Sequence, residues 1–262
     1  MTGLNWTDAQ RSQIEEAVDT EIENSRLSHK VIPEQALAAT VRTVARNRLD
    51  YVNGTIDEEH EPLRELSEDF FLTKLQTEDA DLSNARLRAR RAAQQLARED
   101  DEAVFRTAIR DAVLRGGDGF HAPIDVQQPF PDGLVAAVAR AVAALDSQGY
   151  RNGYVIVAGQ EVYTQLHTRG PGAADFPLKA VEGLLEGGPV HRSGVLPDDE
   201  ALVLSLGGDE IDRAVGEPPT LEFLRIGQGE TREFRLYERF LTRFKQTFSV
   251  VVLRLAQADA EA

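Results

Sequence analysis

The chain offers chemistry in few places. Four consecutive acids, Glu99-Asp100-Asp101-Glu102, carry enough oxygen ligands to attract a hard cation. They sit in a helical pattern, however, where consecutive side chains point in different directions, so the run does not converge on one ion. Five histidines (His29, His60, His121, His167 and His191) share no metal-ligand spacing, and none stands beside a candidate nucleophile. Gly116-Gly117-Asp118-Gly119 is glycine-rich but follows a helical pattern, whereas a phosphate cradle follows a strand and opens a helix; the run reads as a helix stop. No G-x-S-x-G, H-E-x-x-H, P-loop or C-x-x-C motif occurs. The chain has no cysteine, which excludes thiolate metal sites, cysteine nucleophiles and disulfides. Residue chemistry therefore points away from an enzyme, and no catalytic residue, metal ligand or cofactor is expected.

The composition narrows the class further. The 262 residues include 44 acidic and 29 basic side chains, a formal net charge of −15, with 25 Arg and only 4 Lys among the basic ones. A hydrophobic content of 42% is that of a globular protein with enough chain to bury a core. So acidic a surface is a poor binder of nucleic acid through phosphate contacts. The segment from Met1 to Asn24 is acidic and lacks the apolar core of a signal peptide. The longest apolar runs, such as Val250–Leu253 and Leu134–Val138, are far shorter than a membrane span. A soluble, cytoplasmic protein is expected.

Thr7 with Gln10 forms a capping-box pattern that opens a helix. Ile14, Val18 and Ile22 recur every four residues, which gives that helix one narrow apolar seam. The seam suits either packing on its own domain or docking of another chain. The stretch 32–51 mixes β-branched residues with Ala and Arg, reads as extended, and ends at the turn dipeptide Asn53-Gly54. Ser83 is expected to cap the most periodic segment, which runs to Arg115 with Leu87, Leu96, Val104, Ala108, Ile109 and Ala112 on its buried side. Thirty-three helical residues would span roughly 50 Å, a spine for the fold. Arg86, Arg88, Arg90 and Arg91 lie in its first turns, where they oppose the helix dipole. Carboxylates of a neighbouring subunit would satisfy them, and so would water. Further on, helices are expected over 132–148, 160–168 and from Pro177, strands over 154–158 and 201–206, and mostly strand from Thr220 to Leu255.

Several short blocks, in order, carry a family resemblance: Glu61-Pro62-Leu63-Arg64-Glu65-Leu66, Asp101-Glu102-Ala103-Val104-Phe105, Gly153-Tyr154-Val155-Ile156-Val157, Phe176-Pro177-Leu178-Lys179, Leu184-Leu185-Glu186-Gly187-Gly188, Val203-Leu204-Ser205-Leu206-Gly207-Gly208-Asp209 and Phe234-Arg235-Leu236-Tyr237-Glu238-Arg239-Phe240. Together they resemble the encapsulins of the linocin or bacteriocin type, shell proteins with the HK97-type phage capsid fold. The sequence departs from the family pattern at Asn152, where a Pro is usual, and at Glu217-Pro218-Pro219. The first 60 residues follow the pattern less closely.

The resemblance implies an α+β fold of the HK97 type with three parts. Residues 1–60 would form an N-terminal helix and extended loop, 61–131 with 215–262 a peripheral domain built on the spine helix and a sheet, and 132–214 an axial domain. It implies a self-assembling icosahedral shell of 60 copies or a multiple, enclosing a cargo protein that bears a targeting peptide. The seam Ile14, Val18 and Ile22 would then dock that peptide on the inner face. The loop containing Arg169, Gly170, Pro171, Gly172 and Asp175 would line a pore, and Arg86, Arg88, Arg90 and Arg91 would make subunit contacts. Some encapsulins stack a flavin on a tryptophan after the short strand; that position falls near Lys74-Leu75 here and the single Trp is Trp6, so no flavin is expected. The alternative within the same fold is a viral or proviral major capsid protein that packages DNA. A lytic or bacteriocin activity, a label carried by the family, finds no nucleophile or acid–base pair in this sequence.

Overall fold

The computed structural model describes residues 4, 6–50, 55–79, 81–116, 120–128, 130–170 and 174–256. It divides the chain into two compact units. The first comprises Met1–Ala45, His60–Asp101 and Arg213–Thr242; the second comprises Arg46–Glu59, Glu102–Asp212 and Arg243–Ala262.

The chain begins with α1 (Asp8–Ser25), whose Thr7 and Gln10 close the expected capping box on each other's backbone N–H groups. A short α2 (Ser28–Val31) and strand β1 (Glu34–Ala36) follow. Then β2 (Thr43–Asp50) and β3 (Thr55–Pro62) pair as a two-stranded sheet; the Asn53-Gly54 turn lies outside the described residues. Strand β4 (Arg64–Leu72) alternates, with Leu66, Phe70 and Leu72 turned inward. After α3 (Lys74–Glu78) comes α4 (Ser83–Asp101), continued by a π-helical stretch from Glu102 to Arg110 and by α5 (Asp111–Arg115).

That helical run differs from expectation in two ways. Its opening N–H at Ser83 is capped by the Asp81 carboxylate at 2.9 Å, so a negative charge does face the positive end of the dipole. Its buried stripe in α4 is made of Ala85, Ala89, Ala92, Ala93, Leu96 and Ala97, while Leu87 is 67% exposed. Small side chains let a neighbouring element approach closely, and both α1 and β4 pack on this stripe.

The first unit is completed by β9 (Ile211–Ile226) and β10 (Arg232–Phe244), whose far ends belong to the second unit. They build a four-stranded sheet in the order β1-β9-β10-β4, with β1 parallel to β9 and β10 antiparallel to β4. Phe234 on β10 is the centre of an aromatic stack. Its ring centroid lies 5.3 Å from that of Trp6, 5.2 Å from Phe70 and 5.4 Å from Phe223.

The second unit contains β5 (Ile124–Val126), α6 (Asp132–Ser147), β6 (Tyr154–Ala158), α7 (Gln160–Leu166), α8 (Pro177–Leu184), β7 (Val190–Arg192), β8 (Glu200–Ser205) and β11 (Val250–Leu255). Its five-stranded sheet runs β5-β11-β8-β6-β7, and the helices bury Leu134, Val138, Leu145, Val162 and Val181 with Ile156 and Val203. Here the expected boundaries shift. Val250–Leu255, which the resemblance assigned to the peripheral part, pairs with β8 (Val251 opposite Val203) in this sheet, and Glu102–Arg115 also belongs to this unit. The reason is pairing: an apolar strand of Val and Leu needs two neighbours, and β5 and β8 supply them. Among the described residues no helix is long and apolar enough to cross a membrane.

Candidate assembly and cargo surfaces

The seam on α1 is used within the chain. Ile14, Val18 and Ile22 are buried, 1%, 2% and 4% exposed, on the side of α1 that packs along α4. They are therefore not an open stripe for a docking peptide, the role the resemblance implied; of the two readings their spacing left open, packing within the chain is the one observed. An apolar seam this narrow is satisfied by one helix neighbour, and the alanine stripe of α4 provides it. What α1 leaves exposed is polar, with Glu16, Asp19 and Glu23 outward.

The four arginines of α4 divide between two grooves of the first unit. Arg86 and Arg90, one turn apart, border a polar groove of about 220 Å³ against Gln13, Glu16 and Thr20 of α1. Arg88 and Arg91 border a second groove of about 350 Å³ against Glu68, Asp69 and Phe71 of β4. None of the four forms an ion pair among the described residues. The second groove is lipped by apolar side chains, with Phe71 56% exposed near Leu87's helix. Burial pushes the Glu68 carboxyl above its usual range, and the adjacent Glu99 adds to the effect. The solvent side of the same sheet is a ladder of cross-strand pairs: Arg235 with Asp69 at 2.8 Å, Arg239 with Glu65 at 2.8 Å, and the Tyr237 hydroxyl donating to Glu217 at 2.8 Å.

Beneath the end of α1 lies a charged cluster that spacing arguments missed. Arg26 donates to Glu238 at 2.9 Å and to Asp100 at 3.3 Å. Arg213, fully buried, pairs with Asp100 and Glu34, and its guanidinium stacks 4.2 Å from the Phe240 ring centroid. Asp101 accepts the backbone N–H groups of Leu27 at 3.0 Å and Ser28 at 2.7 Å. Asp100 and Asp101 do point in different directions, as helix geometry requires. Both find partners inside the protein instead of a shared cation. Arg213 is buried two residues after the buried Ile211, beside buried Ala214 on β9, and no spacing in the sequence marks it as a cluster member.

In the second unit, Arg169, Gly170 and Asp175 of the expected pore loop are described, while Pro171 and Gly172 lie outside the described residues. Arg169 rests over Phe176, 4.4 Å from its ring centroid, and Asp175 pairs with Lys179 at 3.0 Å. Asp175 and Lys179 border an apolar groove of about 700 Å³ between α6 and α8, lined also by Val135, Ala139, Phe176, Pro177 and Leu184. Pro177 in the first turn of α8 fixes the backbone that turns Phe176 outward, 44% exposed. Arg110, by contrast, is tied down, paired with Glu200 and with Asp111. Among the described residues no group of three or more His, Cys, Asp or Glu could hold a metal ion.

No curated protein matches the sequence. Solved structures do match the fold. The virus-like particle protein from Pyrococcus furiosus has a TM-score of 0.75 at 15% identity, covering 93% of this chain and 98% of that one. The holo-SrpI encapsulin complex from Synechococcus elongatus gives 0.62 at 10% identity, over 86% and 85%. The capsid of Myoviridae phage XM1 gives 0.62 at 14% identity, over 88% and 92%. The fold is thus that of HK97-type capsids and encapsulins, an α+β fold as expected. A family model described as an encapsulating protein for peroxidase matches residues 6–241. With nearly the whole chain inside that match, the protein belongs to this family of encapsulin shell proteins.

Proposed function

We propose that the chain assembles with copies of itself into a closed icosahedral shell in the cytoplasm, enclosing a cargo protein and catalysing no reaction. The observation that supports this reading most is the family match over residues 6–241. The first unit would serve as the peripheral domain and the second as the axial domain around the symmetry axes, with Arg169 to Asp175 at the pore. The unpaired Arg88 and Arg91, beside the exposed Phe71, are the kind of surface a neighbouring subunit's carboxylates and apolar side chains cover. Cargo would be received at the polar groove beside α1, where Glu16, Arg86 and Arg90 stay accessible, since the seam itself is taken. Electron microscopy of the purified protein at low and high salt tests the reading: closed particles support it, and monomers or dimers alone under both conditions overturn it.

A DNA-packaging capsid has the same fold, and phage capsids stand among the structural neighbours. The net charge of −15 favours protein contents. Particles that retain nuclease-protected DNA after purification would select the capsid reading.

A further inference from the structure

The charged cluster under α1 serves none of these surfaces, yet the end of α1 is fastened to it. Every element packed there contributes. Arg26 comes from the end of α1. Ser28 comes from α2, together with His29, which lies 3.3 Å from Glu34. Glu34 comes from β1, Asp100 and Asp101 from α4, Arg213 from β9 and Glu238 from β10. Three carboxyl groups, of Glu34, Asp100 and Glu238, therefore meet two guanidinium groups, and the side chains of Arg213, Asp100 and Glu238 are 0%, 0% and 1% exposed. Asp100 and Glu238 crowd the same two guanidinium nitrogens, Arg26 Nη1 at 3.3 and 2.9 Å and Arg213 Nη2, so two carboxyl groups compete for one pair of donors. Glu238 Oε1 and the Nε atoms of Arg26 and Arg213 have no partner among the described residues, so the cluster is not saturated.

We propose that the Asp100–Glu238 pair, with Arg26 and Arg213, is a proton-dependent latch that seats helix α1 on α4 in mildly acidic conditions and loosens it as the medium becomes alkaline. Helix α1 is the part that yields, because side chains and the Leu27 and Ser28 amides hold it, not a strand ladder. Losing the Glu238 proton adds a buried negative charge in a site that already has more carboxyls than guanidinium groups.

Burial sets the direction. Burial, and after it the charge of Asp100, pushes Glu238 up to about 8 against the pull of Arg213 and Arg26. Burial likewise pushes Asp101 to about 6. An acid raised in the closed state holds its proton more tightly there than in the opened state. Its contribution to closure is complete below its ordinary value near 4.5 and is lost as pH rises to about 8.

The latch lies within one chain, so it stands or falls independently of the shell. Amide hydrogen exchange on the purified full chain tests it at about pH 5.5 and about pH 8.5, with rates corrected for the intrinsic effect of pH. The protection of residues 8–25 is expected to fall at least about tenfold more than that of α6, which has no part in the cluster. Equal changes in the two helices, or none, overturn the proposal. Glu238→Gln, which mimics the protonated acid, is expected to keep α1 protected at the higher pH. If E238Q retains the wild-type loss, Glu238 is not the group. If E238Q does not fold, the wild-type comparison decides alone.

Discussion

Replacing Arg213 by leucine would leave Asp100 and Glu238 sharing Arg26 as their remaining cation, in a site closed to water. Removing one partner of a buried ion cluster costs more than the cluster itself contributes, because the stranded charge cannot be solvated. Arg213→Leu is therefore expected to destabilise the chain by about 3–5 kcal/mol, read as a lower denaturation midpoint. Arg213→Lys should recover only part of this, since an ammonium cannot reach Asp100 and Glu34 together while stacking on Phe240. At the surface the same reasoning predicts small effects. Arg235→Ala, which breaks an exposed pair with Asp69, should cost no more than about 1 kcal/mol.

For the elements, the decisive case is α1. Val18→Asp puts a carboxylate between α1 and the alanine stripe of α4. It should undock the helix and cost on the order of 3 kcal/mol or more, where an open docking stripe would have tolerated it. Thr7→Ala should cost about 1 kcal/mol by removing the cap. Thermal unfolding of both variants checks the ranking. Much of this level was legible in the sequence: the capping box, the seam, the strand 154–158 and the helix begun by Pro177 all follow from local periodicity and cap chemistry. What sequence periodicity could not supply was the partner. It shows that Ile14, Val18 and Ile22 share a face but not what covers that face. It shows that Val250–Leu255 is a buried strand but not which sheet receives it. Leu87 illustrates the same limit: it is apolar but lies on the opposite side of the helix from Ala85, Ala89, Ala92 and Leu96, so residue type alone pointed to the wrong face. The cluster around Arg213 was illegible for a stronger reason. Its members come from positions 26, 34, 100, 101, 213 and 238, and only the folded chain brings them together.

On the scale of the whole molecule, charge sets the conditions for association. A shell of sixty chains at −15 each would carry roughly −900, so mutual repulsion opposes closure until counterions screen it. Raising ionic strength from about 0.05 M to about 0.5 M should increase the assembled fraction measured by sedimentation. Phe71→Ser separates assembly from folding. The side chain is mostly solvent-exposed, so chain stability should change by less than about 0.5 kcal/mol, while particle yield falls if this lip is covered by a neighbour.

The aromatic stack has an optical consequence. Trp6 is the only indole in the chain, is 8% exposed, and donates its Nε1–H to the Thr77 carbonyl at 2.9 Å. Its fluorescence therefore reports one event, the departure of the segment leading into α1 from Phe234, as a shift of emission to longer wavelength. Every copy of the chain carries the same single reporter. The seating of that segment can thus be followed in real time without a label, under the same conditions used to test assembly.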